Sequence, residues 1–399
     1  MTRPPEPGPG PAHATWGRAR AVCRAGLLIA LVAACGSGGS PEADPGAEDT
    51  AGAVADTAAV DTIAVEVALV EEVFETERDT LDDVDSPTVW HGDEGQHWIL
   101  TTAKATDIIL VNDAATGAEV RRIGGTGSGP GQLDRPNGVK AIDDLLLVVE
   151  RDNARLQAFS LPGLETLGIF GEKQLRRPYG IAAYRDDQGR IELYVTDNYE
   201  LEEDVIPPDS LLGERVEQFR VWLEDGELRH EHVRTFGDTG GPGVLRKVET
   251  IGVDAANDRV VIAEELEPDS HWKIYSLYGR FMDQVFGRGY FPHEAEGLAL
   301  YACSDGGGYW IATDQDEETN TFHVFDRQTL EHLGAFTGVT TRNTDGVALT
   351  QVGFGPFPAG AFYAVHNDGN IAAFSWADIA EELGLRSDCG AERLSTPLR

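Results

Sequence analysis

Positive charge is what this chain most lacks: 32 Lys and Arg stand against 68 Asp and Glu, a formal net charge of −36. That surplus excludes direct binding to nucleic acid or to an anionic membrane surface, since both are polyanions. Bound divalent cations could still reverse the local field and let an acidic protein handle a small anionic substrate. Methionine is nearly absent, with two in 399 residues, against 46 Gly and 20 Pro. A helical bundle fits that balance poorly; turns and short strands fit it well. Two familiar catalytic signatures are missing, the Gly-x-Ser-x-Gly elbow and His-Glu-x-x-His. His293 precedes Glu294 but stands alone, as a loop residue does.

Cysteine is equally sparse, with four in all. Arg18, Arg20 and Arg24 precede an apolar run, Ala25 to Ala34, which is too short to span a bilayer and has the length of a signal core. Val32-Ala-Ala-Cys35 resembles the bacterial lipobox, so residues 1–34 read as a lipoprotein signal and Cys35 as the acylated residue. Residues 35–60 then form a flexible acidic tether. The resemblance implies a lipid-anchored protein of the bacterial cell envelope that meets the membrane only through its lipid. Cys23 leaves with the signal. Cys303 and Cys389 remain, free to form a disulfide in an oxidising compartment or to stay as thiols.

The folded part carries an internal repeat. One unit runs Gly138-Val-Lys-Ala-Ile142, Leu145-Leu-Leu-Val-Val149 and Arg155-Leu-Gln-Ala-Phe159. Comparable units begin near Gly180, Gly252, Gly297 and Gly346, and a sixth opens at Asp85-Ser-Pro-Thr-Val-Trp90. Short strands recurring about every 45 residues are the period of a propeller blade. The expectation is an all-β, six-bladed β-propeller of four-stranded antiparallel blades over residues 61–385, with 386–399 as a tail. The segment Thr62–Val73 should close the ring beside the last blade, and Glu200–Ser210 should be an acidic surface insertion. Trp90, Trp98, Trp272 and Trp310 sit in strands and should pack between blades.

In an antiparallel blade the first strand begins where the second one ends, so both points share one face. Before the first strands stand Asp85, Asn137, Tyr179, Glu249, Glu296 and Asp345; after the second strands stand Lys104, Arg151, Asp197, Glu265, Asp314, Asp316 and Asp368. So many carboxylates repel one another unless compensated. Hard divalent cations with oxygen ligands are the natural remedy, and several Ca²⁺ ions fit better than Mg²⁺.

At these positions the chain resembles the β-propeller phytases across residues 74–381. Glu75-Thr76-Glu77, Asp85-Ser-Pro-Thr-Val-Trp90, Thr101-Thr-Ala-Lys104, Glu150-Arg151, Tyr179-Gly180, Ile262-Ala-Glu-Glu265, Glu296-Gly297-Leu298, Thr344-Asp345-Gly346 and Asn367-Asp368-Gly369 follow that family's motifs in order. The resemblance implies a Ca²⁺-dependent phosphomonoesterase acting stepwise on inositol hexakisphosphate as its calcium complex. Glu75, Asp85, Glu249, Glu265, Glu296, Asp345 and Asp368 would hold the ions. Lys104 and Arg151 would grip phosphate oxygens, and Tyr179 would donate a hydrogen bond. Three departures stand out: Lys140 replaces a ligand carboxylate, Ser86 replaces an Asp, and Asp197-Asn198-Tyr199 replaces Lys-Glu-Gly. Ile123 to Gly138 also resembles an NHL repeat, the pattern of non-catalytic binding propellers. A calcium-dependent lactonase or esterase shares the architecture too. A monomer is expected.

Overall fold

The computed structural model describes residues 62–390. The signal at 1–34, the lipidation site Cys35, the tether at 35–60 and the tail beyond residue 390 lie outside the described residues. Within them the chain forms six sheets, each built on four antiparallel strands; in five of them these strands follow sequence order from axis to rim, and in the last the outermost strand comes from the N-terminal end. The innermost strands are Val84–His91, Pro136–Ile142, Pro178–Arg185, Ile251–Asp254, Glu294–Ala302 and Val347–Thr350. Residues from all six line a central channel. This is the six-bladed propeller that the repeat predicts.

The second and third strands are buried on both faces, for instance Leu145–Glu150, where every residue is buried. Their near-continuous apolar runs follow from that, because each face meets a neighbouring blade. Every seam between blades carries its own hydrophobic cluster. Trp90 packs with Leu146 and Phe159 between the first two blades, and Trp272 with Trp310 between the fourth and fifth. The core is thus a ring of six wedges.

Closure differs from the expectation. The strand completing the last blade is Phe74–Glu75, paired antiparallel with Asn370–Ser375, while Val67–Leu69 runs parallel to His332–Thr337 as a fifth strand on the preceding blade. The crossing between them is pinned by Glu72, whose carboxylate accepts the N–H groups of Val339, Thr340 and Thr341 at 3.1, 3.0 and 2.9 Å.

One helix, Trp376–Leu383, follows the last strand; period-2 reading does not find it. Ser375 Oγ accepts the N–H of Asp378, Gly384 ends the helix with φ 66°, and Trp376, Ile379 and Ala380 bury its inner face. Beyond it, Cys389 forms a disulfide with Cys303. Among the described residues, no helix is long and apolar enough to cross a membrane.

Candidate metal and phosphate site at the channel mouth

Four of the six innermost strands enter their blades through a break in register, at Val84/Pro87, Pro136/Val139, Pro178/Ile181 and Glu296/Leu298. A bulge bends the strand and re-aims the residues inside it. It is at these breaks that Asp85, Asn137, Tyr179 and Glu296 lie. Asp85, Tyr179, Glu249, Glu296 and Asp345 line the channel mouth together. Gly138 and Gly180 sit beside them, where an added Cβ would stand 2.5 Å from Tyr179 O and 2.1 Å from Glu249 O. Only glycine lets the neighbouring strands approach so closely.

On one side of the mouth, Lys104 Nζ lies 3.0 Å from Asp85 Oδ1, 3.2 Å from Asp345 Oδ2 and 3.7 Å from Asp83 Oδ1. Burial works against its charge, yet Asp85 and Asp345 outweigh that and hold its pKa above lysine's ordinary value. Asp345 is pushed up to about 7, by burial first and by Asp85 and Asp368 against the pull of Lys104.

On the other side, carboxylate oxygens of Glu249, Glu265 and Glu296 lie within 4.8 Å of one another. Burial is the largest cause of their raised pKa values; for Glu265 and Glu296 the charges of the other members add to it. Glu265 Oε1 accepts the N–H groups of Glu249 and Thr250 at 3.1 and 3.0 Å, while its buried Oε2 has no partner among the described residues. Asn137 is fully buried with neither amide atom partnered. Orphaned buried acceptors beside clustered carboxylates fit a hard, oxygen-seeking cation.

The structure sorts the expected residues. Asp85, Tyr179, Glu249, Glu296 and Asp345 share the mouth; Lys104 bonds to two of them, and Glu265 bonds to the backbone of Glu249. Asp368 is set slightly back, accepting from Asn343 Nδ2 at 2.9 Å but close enough to Lys104 and Asp85 to affect its charge. Arg151, directly after the second strand of its blade, pairs with Asp152 at 2.7 Å within electrostatic reach of Tyr179 and Glu249. Glu75 does not line the mouth. It stands on the rim strand of the last blade, bonded to Thr340 and Asn370, because that strand is the farthest of four from the axis.

Three further carboxylates leave the ring for a structural reason. Asp197 accepts the backbone N–H groups of Arg176 and Arg177 at 2.9 and 2.7 Å, and Asp314 that of His293 at 3.0 Å. Both tie the end of a second strand to the loop entering the first. Asp316 caps a turn at Glu318 and Thr319. Lys140 lies deeper, lining a channel cavity of about 310 Å³ with Trp310. Burial lowers its pKa.

Lys247 was missed. Its Nζ donates to Glu294 at 2.6 Å, and the charges of Glu265, Glu249 and Glu296 outweigh burial to raise its pKa. Lys247 sits at a bend ahead of the innermost strand Ile251–Asp254, where no strand period marks it.

Fold and site together define a six-bladed propeller whose axial mouth is ringed with carboxylates and cations. Residues 229–390 match the family model described as Phytase, so this part of the six-bladed propeller is similar to that family. The matched stretch holds Glu249, Glu265, Glu296, Asp345 and Asp368; Asp85, Lys104, Arg151 and Tyr179 lie outside it. The chain is also similar to solved structures. One is a chain of Kuenenia stuttgartiensis hydrazine synthase, at 14% identity and TM-score 0.45, covering 79% of this chain and 86% of that one. Another is virginiamycin B lyase from Staphylococcus aureus, at 10% identity and TM-score 0.44, covering 76% and 98%.

Proposed function

We propose that this protein is a Ca²⁺-dependent phosphomonoester hydrolase working at the channel mouth. The observation that carries the proposal is the trio Glu249, Glu265 and Glu296, half-buried at Glu249 and buried at the other two, with the orphaned Glu265 Oε2. Asp85 and Asp345 supply further carboxylate oxygens across the mouth. Calcium bound there would neutralise phosphate oxygens and acidify a water for attack on phosphorus.

The chain's own groups do the remaining work. Lys104, charged and fixed between Asp85 and Asp345, presents an ammonium to a phosphate oxygen arriving at the mouth. Burial pushes the Tyr179 hydroxyl well above tyrosine's ordinary pKa, so it stays a neutral hydrogen-bond donor. Arg151 can exchange its exposed partner Asp152 for a phosphate, with two parallel N–H bonds that suit the equatorial oxygens. Anchoring of this activity at the cell envelope through Cys35 belongs to the same proposal.

The test is phosphate release from p-nitrophenyl phosphate, with millimolar Ca²⁺ and with chelator. Turnover in calcium that chelator abolishes is the expected result. A chain that hydrolyses nothing in either condition is a binding propeller instead.

A further inference from the structure

Beside the mouth, on the side of Arg151, lies a cavity of about 930 Å³. Its outer wall is the insertion between the strands Ile191–Asp197 and Val216–Glu224, which opens on Asn198 and Tyr199. The wall is held firmly. Arg215, fully buried, donates to the carbonyl oxygens of Asp197, Tyr199 and Leu245 at 3.0, 2.8 and 3.2 Å. Tyr199 donates its hydroxyl to Leu211 O at 2.6 Å and packs on Leu212 and Val244.

Three arginines line this cavity, which at first suits more phosphate. Arg151 is already taken by the phosphate at the mouth in the reading above, and Arg176 and Arg177 are matched by the chain itself, through Glu214 and Glu200. Glu202 and Glu203 add unmatched negative charge to the same wall. A second or third phosphate group would therefore meet repulsion. What the cavity offers instead is contact for a flat or apolar group. The guanidinium of Arg176 lies 3.6 Å over the Tyr199 ring, a planar platform. Leu201 and Leu211, exposed at 58% and 55%, stand at the same wall with Pro207. Arg151 joins the two places, since it lines the cavity and acts electrostatically on Tyr179 and Glu249 at the mouth.

We infer that the cavity receives the alcohol half of the substrate and selects monophosphates of aromatic or other apolar alcohols over polyphosphorylated ones. The inference rests on the hydrolase reading for its catalytic consequence but not for binding.

The experiment compares kcat/KM of the full chain in calcium for 1-naphthyl phosphate, glycerol 2-phosphate and inositol hexakisphosphate, in wild type and Leu201→Asp. Leu201 is exposed, so its replacement leaves the fold intact. The naphthyl ester should be preferred by about tenfold or more, and Leu201→Asp should cut its kcat/KM by about fivefold or more while glycerol 2-phosphate changes less than about twofold. Preference for inositol hexakisphosphate, or equal losses on both monoesters, overturns the inference. If no ester turns over, the hydrolase reading fails by itself, and quenching of 1-naphthyl phosphate fluorescence reads the cavity directly. Saturable binding weakened by Leu201→Asp then upholds the inference, and absence of saturable binding overturns it.

Discussion

Glu265 carries two opposed roles that a single substitution separates. Its buried carboxylate is unfavourable in the metal-free protein, because burial and the Glu249 charge both oppose ionisation. A metal bound as proposed would turn the same charge into a ligand. Glu265→Gln keeps the shape and removes the charge, so the metal-free melting temperature should rise while the calcium-induced increment shrinks. Calcium binding only the native state adds about 2.7 kcal/mol at a hundredfold excess over Kd, and most of that should vanish. A variant that keeps the full increment would show that the trio is not the metal site. Arg151 is the converse case. Its pair with Asp152 is exposed on the carboxylate side, worth about 0–1 kcal/mol to the fold. Arg151→Lys should leave the melting curve nearly unchanged and lower kcat/KM by about tenfold or more, since the two-pronged contact strengthens as charge spreads in the transition state. A sharp fall in melting temperature with unaltered turnover would identify a structural ion pair instead.

Among the elements, the N-terminal strap does most for its length. Phe74–Glu75 covers the edge of Asn370–Ser375, and the Phe74 ring lies 6.0 Å from that of Phe357. Without the strap the last blade exposes an unpaired edge, which invites aggregation. A chain beginning at residue 78 should be insoluble or melt about 5 °C or more below one beginning at residue 60. Equal melting temperatures would sink the idea that the strap closes the ring. The two-strand division of the strap was not legible in the sequence, because Val67–Leu69 and Phe74–Glu75 are too short to show a period. Their partners lie over two hundred residues away in the chain.

For the whole molecule, the ring of raised carboxylates sets a pH dependence whose sign follows from linkage. Glu249, Glu265, Glu296 and Asp345 all titrate above their ordinary range, burial being the largest cause. Between the ordinary range and the raised values, the metal-free folded state binds more protons than the unfolded chain. Its stability therefore falls as pH rises through that window. Calcium held there as proposed would compete with those protons, so the melting-temperature gap between calcium and chelator should widen from about pH 5 to about pH 8. A gap independent of pH would mean that the ions bind elsewhere.

The blades are legible in the chain alone, because alternation within a strand and repetition between units are local properties that any window displays. The same holds for most of the site: Asp85, Tyr179, Glu249, Glu296 and Asp345 were found from their position before first strands, and they meet at the mouth. Which carboxylates turn to the axis is settled by the folded ring. Asp197 and Asp314 occupy equivalent strand ends, yet backbone N–H groups of their own blades claim them. Asp85 and Glu296 are re-aimed by bulges that no residue pattern announces. The pairing of Cys303 with Cys389 across 86 residues, the departure of Glu75 to the rim and the cavity walled by Tyr199 and Arg176 belong to the same category. Each depends on which distant segments the closed ring brings together, and chain separation carries no information about that distance.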